Sequence, residues 1–252
     1  MAPNPPPENL VKIRLLHDID LARIAPLPHE ERRRRLEQLR TGWPTLSYGP
    51  LRRSLGDIFN VDLGLFGPVT PLPWDKVARA VAGNSRSTEE CEANLAVAEA
   101  LHDYASRNNL TGRRQEFLSL PLGEGTRVTY WIPLVLGVNG RALVPFIDPR
   151  RSSKRLTAAA RRFVFSVMHE RIRAADPDFV DVALGVFQFG VDDDGKRHPV
   201  LWTDDGVDLY SFEALDQMVR ETYELWWEVC EDRTTQSRRK GTGTGGLFRG
   251  GA

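Results

Sequence analysis

Basic residues are concentrated between residues 141 and 173, where nine Lys or Arg residues stand against two acids, Asp148 and Glu170. Arginine forms bidentate contacts with phosphate, so an exposed group of arginines could bind a nucleic-acid backbone. On a helical wheel Phe165 lies within the basic side, where its ring could stack on a base. The candidate binding residues are Arg150, Arg151, Lys154, Arg155, Arg161, Arg162, Phe165, His169 and Arg173. This pattern predicts a non-catalytic protein that binds DNA or RNA through an Arg-rich turn and helix, residues 150–173.

A second possibility is a metal-dependent nuclease. Asp148-Pro149-Arg150 ends an apolar run, in an order of predicted elements that loosely resembles the restriction-endonuclease-like core. That resemblance implies that Asp148, with Glu116 or Glu124 as partner acid and Gln188 as a further polar group, binds Mg²⁺ and supports nuclease chemistry. Arg150 weakens this alternative, because it stands where the family has Lys and a guanidinium does not act as a base. Outside this alternative we expect no cofactor and no metal site, since the five histidines and two cysteines lack metal-ligand spacing.

A third possibility follows from the acids. The formal net charge is zero, yet residues 176–232 carry sixteen acids and three basic residues. The acidic side of the last predicted helix could therefore cover the basic side of helix 154–175. That arrangement favours a protein-interaction or oligomeric module, with segments 41–73 and 212–232 docking on a protein partner or a second copy. Segment 41–73 is rich in Gly, Pro and apolar residues, which is typical of an ordered, functional loop.

These residues must be positioned by a small number of elements. Ser87 followed by Glu90 predicts a capped helix over 88–107, and Asn139-Gly140 predicts the turn of a hairpin over 127–147. Apolar and β-branched runs predict further strands near 117–120, 182–190 and 199–203. Helices are expected at 29–40, 154–175 and 212–231. Together they predict an α+β fold with a mostly antiparallel sheet backed by helices.

The order helix–β–β–β–helix–β loosely resembles the restriction-endonuclease-like core, the PD-(D/E)XK fold. The resemblance implies an Asp and a D/E-x-K motif on neighbouring strands, with two carboxylates binding Mg²⁺ and the Lys orienting water. In this chain Asp148-Pro149-Arg150 stands at that position, with Arg where the family has Lys.

The composition also suggests a domain organisation and a compartment. We expect residues 1–9 to be disordered, 10–86 to form a helical and irregular region packed on the core, 87–232 to form the core domain, and 233–252 to be a disordered basic tail. Two isolated cysteines favour a reducing, cytoplasmic location. Apolar runs are all shorter than the about 20 residues that span a bilayer, so no membrane association is expected.

Overall fold

A computed structural model describes residues 15–39, 46–62, 71–118, 121–123, 127–150 and 154–241, apart from the side chains of residues 62 and 237–241. The helices are α1 (Asp18–Ile24), α2 (His29–Gln38), α3 (Gly49–Arg53), α4 (Leu55–Ile58), α5 (Trp74–Gly83), α6 (Thr88–Arg107), α7 (Ala158–Met168) and α8 (Phe212–Gly241). The strands are β1 (Val61–Asp62), β2 (Thr111–Arg114), β3 (Leu134–Val138), β4 (Arg141–Ile147), β5 (Ala183–Val191) and β6 (Arg197–Thr203).

The fold is α+β, as predicted, but the sheet is mixed. Its strands lie in the order β1-β2-β3-β4-β5-β6, and the pairs β1–β2 and β4–β5 are parallel. The prediction of a mostly antiparallel sheet is therefore wrong. The physical reason is the crossover through α7, because a strand, a helix and a returning strand place the two strands side by side in the same direction.

The hairpin and α6 follow the sequence closely. Asn139 and Gly140 both have positive φ (49° and 77°), as the predicted type I′ turn requires. The Oγ of Ser87 accepts a hydrogen bond from the amide of Glu90 at 3.2 Å, and α6 runs from Thr88 to Arg107. Local sequence rules are sufficient at these positions because each feature depends on neighbours within a few residues.

Pro145 lies in a central strand, although proline is usually confined to sheet edges. It is opposite Gly185 of β5, and on its other side the carbonyl accepts a hydrogen bond from the amide of Ile132 at 2.8 Å. The β3 ladder ends before this point, at Leu143 opposite Leu136. On this side of β4 the neighbouring segment supplies the donor, the amide of Ile132, and Pro145 has only to supply its carbonyl oxygen. The missing N–H of the proline is therefore tolerated in a central strand.

Other predicted elements differ in their limits. Residues 117–118 are not in a strand, and 119–120 lie outside the described residues. The helix predicted over 154–175 consists of α7 followed by a π-helix, His169–Arg173. The last helix continues ten residues beyond the predicted end at 231, while residues 242–252 and 1–9 lie outside the described part of the chain.

Two apolar cores lie on opposite faces of the sheet. One packs α1, α7 and α8 against Val144, Phe146, Leu184 and Val186, and the other packs α3–α6 against Leu136, Leu143 and Phe187. No described helix is both long enough and apolar enough to cross a membrane.

Candidate protein-interaction surface

The two central arginines of the predicted nucleic-acid site make contacts within the protein. Arg161 donates to the Oε1 of Gln188 at 3.0 Å, and its guanidinium carbon lies 3.9 Å from the ring centroid of Trp202. Arg162 bonds Asp208 at 2.7 Å and stacks 3.8 Å above the ring of Tyr210. Both guanidinium groups are therefore already engaged with partners of the same chain.

The other predicted basic residues divide into paired and exposed groups. Arg150 forms an ion pair with Asp20 of α1 at 2.6 Å, and Arg173 binds Asp204 through both terminal nitrogens at 2.6 and 3.1 Å. Lys154 and Arg155 are exposed, and Arg151 lies outside the described residues. Among the described basic residues of the predicted nucleic-acid site, only Lys154 and Arg155 are therefore exposed to solvent.

Phe165 does not lie on the basic surface. Its side chain is 2% exposed and packs in the core with Phe163 and Val164. His169 is half-buried and begins the π-helix. The predicted stacking platform is therefore a core residue, because α7 is packed by α1, α8 and β5 and all of its residues from Phe163 to Met168 are buried.

Asp148 and Gln188 form a buried structural network. Asp148 is fully buried and accepts hydrogen bonds from the amides of Leu156 and Arg150, at 2.7 and 3.3 Å, and from Nε2 of Gln188 at 3.0 Å. Burial raises the pKa of the Asp148 carboxyl. The Asp148 oxygens accept hydrogen bonds that fix the connection between β4 and α7. The sequence had suggested that the same oxygens bind a metal.

The described residues do not bring a partner acid to Asp148. Glu116 is exposed after β2, and Glu124 lies outside the described residues. Among the described side chains there is no group of three or more His, Cys, Asp or Glu that could hold a metal ion. The likeness to the restriction-endonuclease core is not supported, since Asp148 and Gln188 together secure a loop.

The acids of α8 pair chiefly with α2. Arg32, which is 5% exposed, bonds Glu221 at 2.8 Å, and Arg33 bonds Glu228 at 2.8 Å and Asp232 at 3.4 Å. The expected pairing of the acidic helix with the basic helix is therefore replaced by two others. The acids of α8 meet α2, while Arg162 and Arg173 of the basic segment meet the loop acids Asp208 and Asp204.

The segment that leads into β1 is fastened to α6 by two buried polar side chains. Asn94, which is fully buried, accepts from the amide of Leu51 at 3.0 Å and donates to the carbonyl of Ser47 at 2.8 Å. Glu90, 4% exposed, accepts from the amides of Ser47 and Arg86 at 3.1 and 2.8 Å. These bonds satisfy backbone groups of an irregular segment that has few partners of its own.

The other end of the segment is also held by α6. The Nε2 of His102 lies 2.9 Å from the carbonyl oxygen of Leu72, and its ring lies 5.6 Å from the ring of Trp74. Residues Ser47 and Leu51, before β1, and Leu72, after the stretch 63–70, are thus all bonded to α6.

Most of the described apolar residues of segment 41–73 are used in folding. Leu51, Leu55, Ile58 and Phe59 are each at most 4% exposed and belong to the second core. Leu63, Leu65 and Phe66, which the sequence also marks as apolar, lie outside the described residues.

Sequence reasoning missed Glu90 and Asn94 as organisers of this segment. The signal was present, because both lie at helical spacing with the buried residues Val97 and Leu101. A polar residue at a position of an apolar stripe indicates a buried hydrogen-bonding role.

We expect Asn94→Ala to lower the free energy of unfolding by about 2–3 kcal/mol, because it leaves the Leu51 amide and the Ser47 carbonyl without partners. Urea unfolding followed by circular dichroism measures this change. Glu92→Ala, at an exposed position of the same helix, is the control and should stay within about 0.5 kcal/mol of the parent protein. Equal stability of the two variants would contradict a fastening role for Asn94.

Comparison with known proteins gives a family assignment. The family model described as sliding clamp-binding bacterial toxin SocB matches residues 19–236. The DNA replication inhibitor toxin SocB of Caulobacter vibrioides (strain NA1000 / CB15N) is 34% identical over 234 residues, which cover 92% of this chain and 97% of the relative. No solved structure gives a significant match.

These matches correct the functional prediction. A nucleic-acid-binding protein was the leading prediction and a Mg²⁺-dependent nuclease one alternative, and the family description contradicts both. The alternative of a protein-interaction module agrees with the matches, since the family is described by its binding to a protein. Because the family model covers most of the chain, the protein belongs to the SocB family of sliding clamp-binding bacterial toxins.

Proposed function

We propose that this protein is a bacterial toxin that binds the replication sliding clamp and thereby inhibits DNA replication, acting in the cytoplasm. The observation that carries the proposal is the similarity to the C. vibrioides toxin along nearly its whole length, 97%. Because the match covers nearly the whole relative, it includes the surface by which the relative would bind its partner. We therefore expect the two proteins to bind the same partner.

Segment 41–73 is the proposed docking element. Its two flanks are held on α6, by Glu90 and Asn94 before β1 and by His102 at Leu72. A segment held at both ends loses less conformational entropy on binding than a free one. Leu63, Leu65 and Phe66 supply apolar side chains of the kind that fill pockets on a protein partner.

The acidic helix, residues 212–232, is the weaker of the two docking segments proposed from sequence. Glu221, Glu228 and Asp232 are engaged by arginines of α2, so a partner would have to displace α2 or use the remaining acids. We therefore assign this helix a structural role and place docking in segment 41–73.

Inhibition by this route requires occupancy of the clamp and no chemical step. A ligand that covers a clamp surface used by other replication proteins excludes them by competition, and the degree of exclusion follows the affinity and the concentrations. The proposal thus predicts that added free clamp restores DNA synthesis.

The test is DNA synthesis on a primed single-stranded circle with purified polymerase, clamp loader and sliding clamp of the same organism. We expect the protein to reduce clamp-dependent synthesis and excess clamp to restore it. The same polymerase extending a short primer without clamp should be unaffected. Inhibition of the clamp-free reaction, or inhibition that excess clamp does not relieve, would overturn the proposal.

A further inference from the structure

Exposed apolar side chains are grouped around the π-helix His169–Arg173, at the beginning of α8. Leu118, Val180 and Phe212 are large apolar residues that the described fold leaves exposed. We call these three residues the apolar patch. Exposed apolar side chains that lie together on a soluble protein indicate an interaction surface, whereas single ones need no explanation. The contacts that bring the three together therefore decide whether the apolar patch has a role.

Arg171 of the π-helix connects two members of the apolar patch. Its guanidinium carbon lies 5.8 Å from the ring centroid of Phe212, the first residue of α8. Its Nη2 donates a hydrogen bond to the carbonyl of Pro121 at 3.1 Å, and Pro121 follows Leu118 by three residues. The chain next to Leu118 and the beginning of α8 are thus both in contact with the same arginine.

An aromatic pair joins the third member to the other two. The rings of Phe117 and Phe179 lie 5.1 Å apart, edge to face. These two residues directly precede Leu118 and Val180 in sequence, and the 3₁₀-helix Pro177–Phe179 packs against the π-helix. The three exposed side chains therefore belong to one region of the surface.

The border of the apolar patch is acidic. Three exposed acids lie within two residues of its members: Glu116, Asp181 and Glu213. None of them forms an ion pair with a residue that the structure describes. Among the basic side chains of the π-helix, Arg171 is buried and Arg173 is paired with Asp204. The exposed charge at the apolar patch is therefore negative.

Such a surface fits a segment that carries both large apolar side chains and basic residues. Opposite charges orient a complex, and aromatic side chains supply much of its binding energy. The sequence itself contains a segment of this kind. Residues 238–252 include four basic residues and no acid, with Leu247 and Phe248 directly before Arg249. We call residues 238–252 the basic segment.

Leu247 and Phe248 cannot reach the apolar patch of their own molecule. Helix α8 runs from Phe212 to Gly241, which is about 44 Å at the rise of an α-helix. Leu247 and Phe248 follow Gly241 by six and seven residues, and seven extended residues span at most about 25 Å. A contact between the basic segment and the apolar patch therefore requires a second copy of the chain.

We propose that the apolar patch of one molecule binds the basic segment of a second copy, with Leu247 and Phe248 on the patch and the basic residues near its acids. The contact is heterologous, because the two surfaces that meet are different. The inference does not depend on the proposed function, since clamp docking is assigned to segment 41–73. A molecule that uses its apolar patch in this way keeps its docking segment.

The first test is the solution mass of the full-length chain by sedimentation equilibrium, from about 1 to about 200 µM, a range that detects weak association. We expect the mass of the parent protein to rise above that of a monomer. A patch variant, Leu118→Ala/Val180→Ala, and a segment variant, Leu247→Ala/Phe248→Ala, should both associate at least tenfold more weakly. Leu15→Ala/Val191→Ala, which removes exposed apolar side chains elsewhere, is the control and should associate within twofold of the parent protein.

The second test mixes the patch variant with the segment variant in equal amounts. The first retains an intact basic segment and the second an intact apolar patch, so the mixture should associate where each variant alone does not, and should stop at a dimer. A parent protein that remains a monomer at about 200 µM would overturn the inference. So would a mixture that fails to associate, since patches that bind each other are not restored by mixing. Clamp binding by the patch variant is measured separately and should equal that of the parent protein, so failure here leaves the proposed function standing.

Discussion

Replacing Asp204 by alanine is expected to lower the free energy of unfolding by about 3–5 kcal/mol, the range for breaking a buried ion pair from one side. The Asp204 and Arg173 side chains are 9% and 18% exposed, and the carboxylate also accepts a hydrogen bond from the amide of Leu184 at 3.1 Å. Its removal takes the partners from both terminal nitrogens of a mostly buried guanidinium and from a β5 amide, while the Nε of Arg173 keeps its bond to the carbonyl of Val182. Denaturant unfolding measures the change.

The neighbouring acid provides a control. Asp205 is 63% exposed, and among the described residues it contacts Thr203 and, at 3.7 Å, Arg141. Asp205→Ala should change the stability by no more than about 0.5–1 kcal/mol. If the two alanine variants were equally stable, the pair between the π-helix and the loop after β6 would not be a structural connection.

The second large effect concerns binding. The double variant Leu65→Ala/Phe66→Ala should weaken clamp binding at least about a hundredfold, since each apolar side chain buried at an interface contributes about 1.5–3 kcal/mol. Binding of the variant and of the parent protein to purified clamp is compared by titration, with thermal unfolding recorded for both.

A control for this variant uses apolar residues that are exposed elsewhere. Leu118 and Val180 are 85% and 59% exposed, so Leu118→Ala/Val180→Ala removes similar apolar surface from a different part of the molecule. It should bind as the parent protein does. Equal loss in the two double variants would show that apolar surface in general, and not segment 41–73, attracts the clamp.

Local features of this fold were predictable, and long-range ones were not. The Ser87 cap and the Asn139-Gly140 turn depend on a few adjacent residues, and both are present. The parallel pairing of β4 with β5 depends on the crossover through α7. A helix between two strands allows that pairing, but the strand patterns alone do not distinguish it from an antiparallel one.

The charge distribution was likewise predictable only in its local part. The basic and acidic stretches can be counted from the sequence, but their partners cannot. Arg173 forms an ion pair with Asp204 of a loop. Glu221 of α8 forms one with Arg32 of α2, more than 180 residues away in sequence. The nucleic-acid prediction was wrong because it assumed that the arginines face solvent, and Arg161 and Arg162 rest on Trp202 and Tyr210.

Binding of the purified protein to the purified sliding clamp of the same organism tests the central claim most directly. Isothermal titration should give a saturable signal that fits one binding site per clamp protomer, and the Leu118→Ala/Val180→Ala control should reproduce it. The absence of any saturable signal, with the protein folded and the clamp active in DNA synthesis, would contradict the claim that this chain is a clamp-binding toxin.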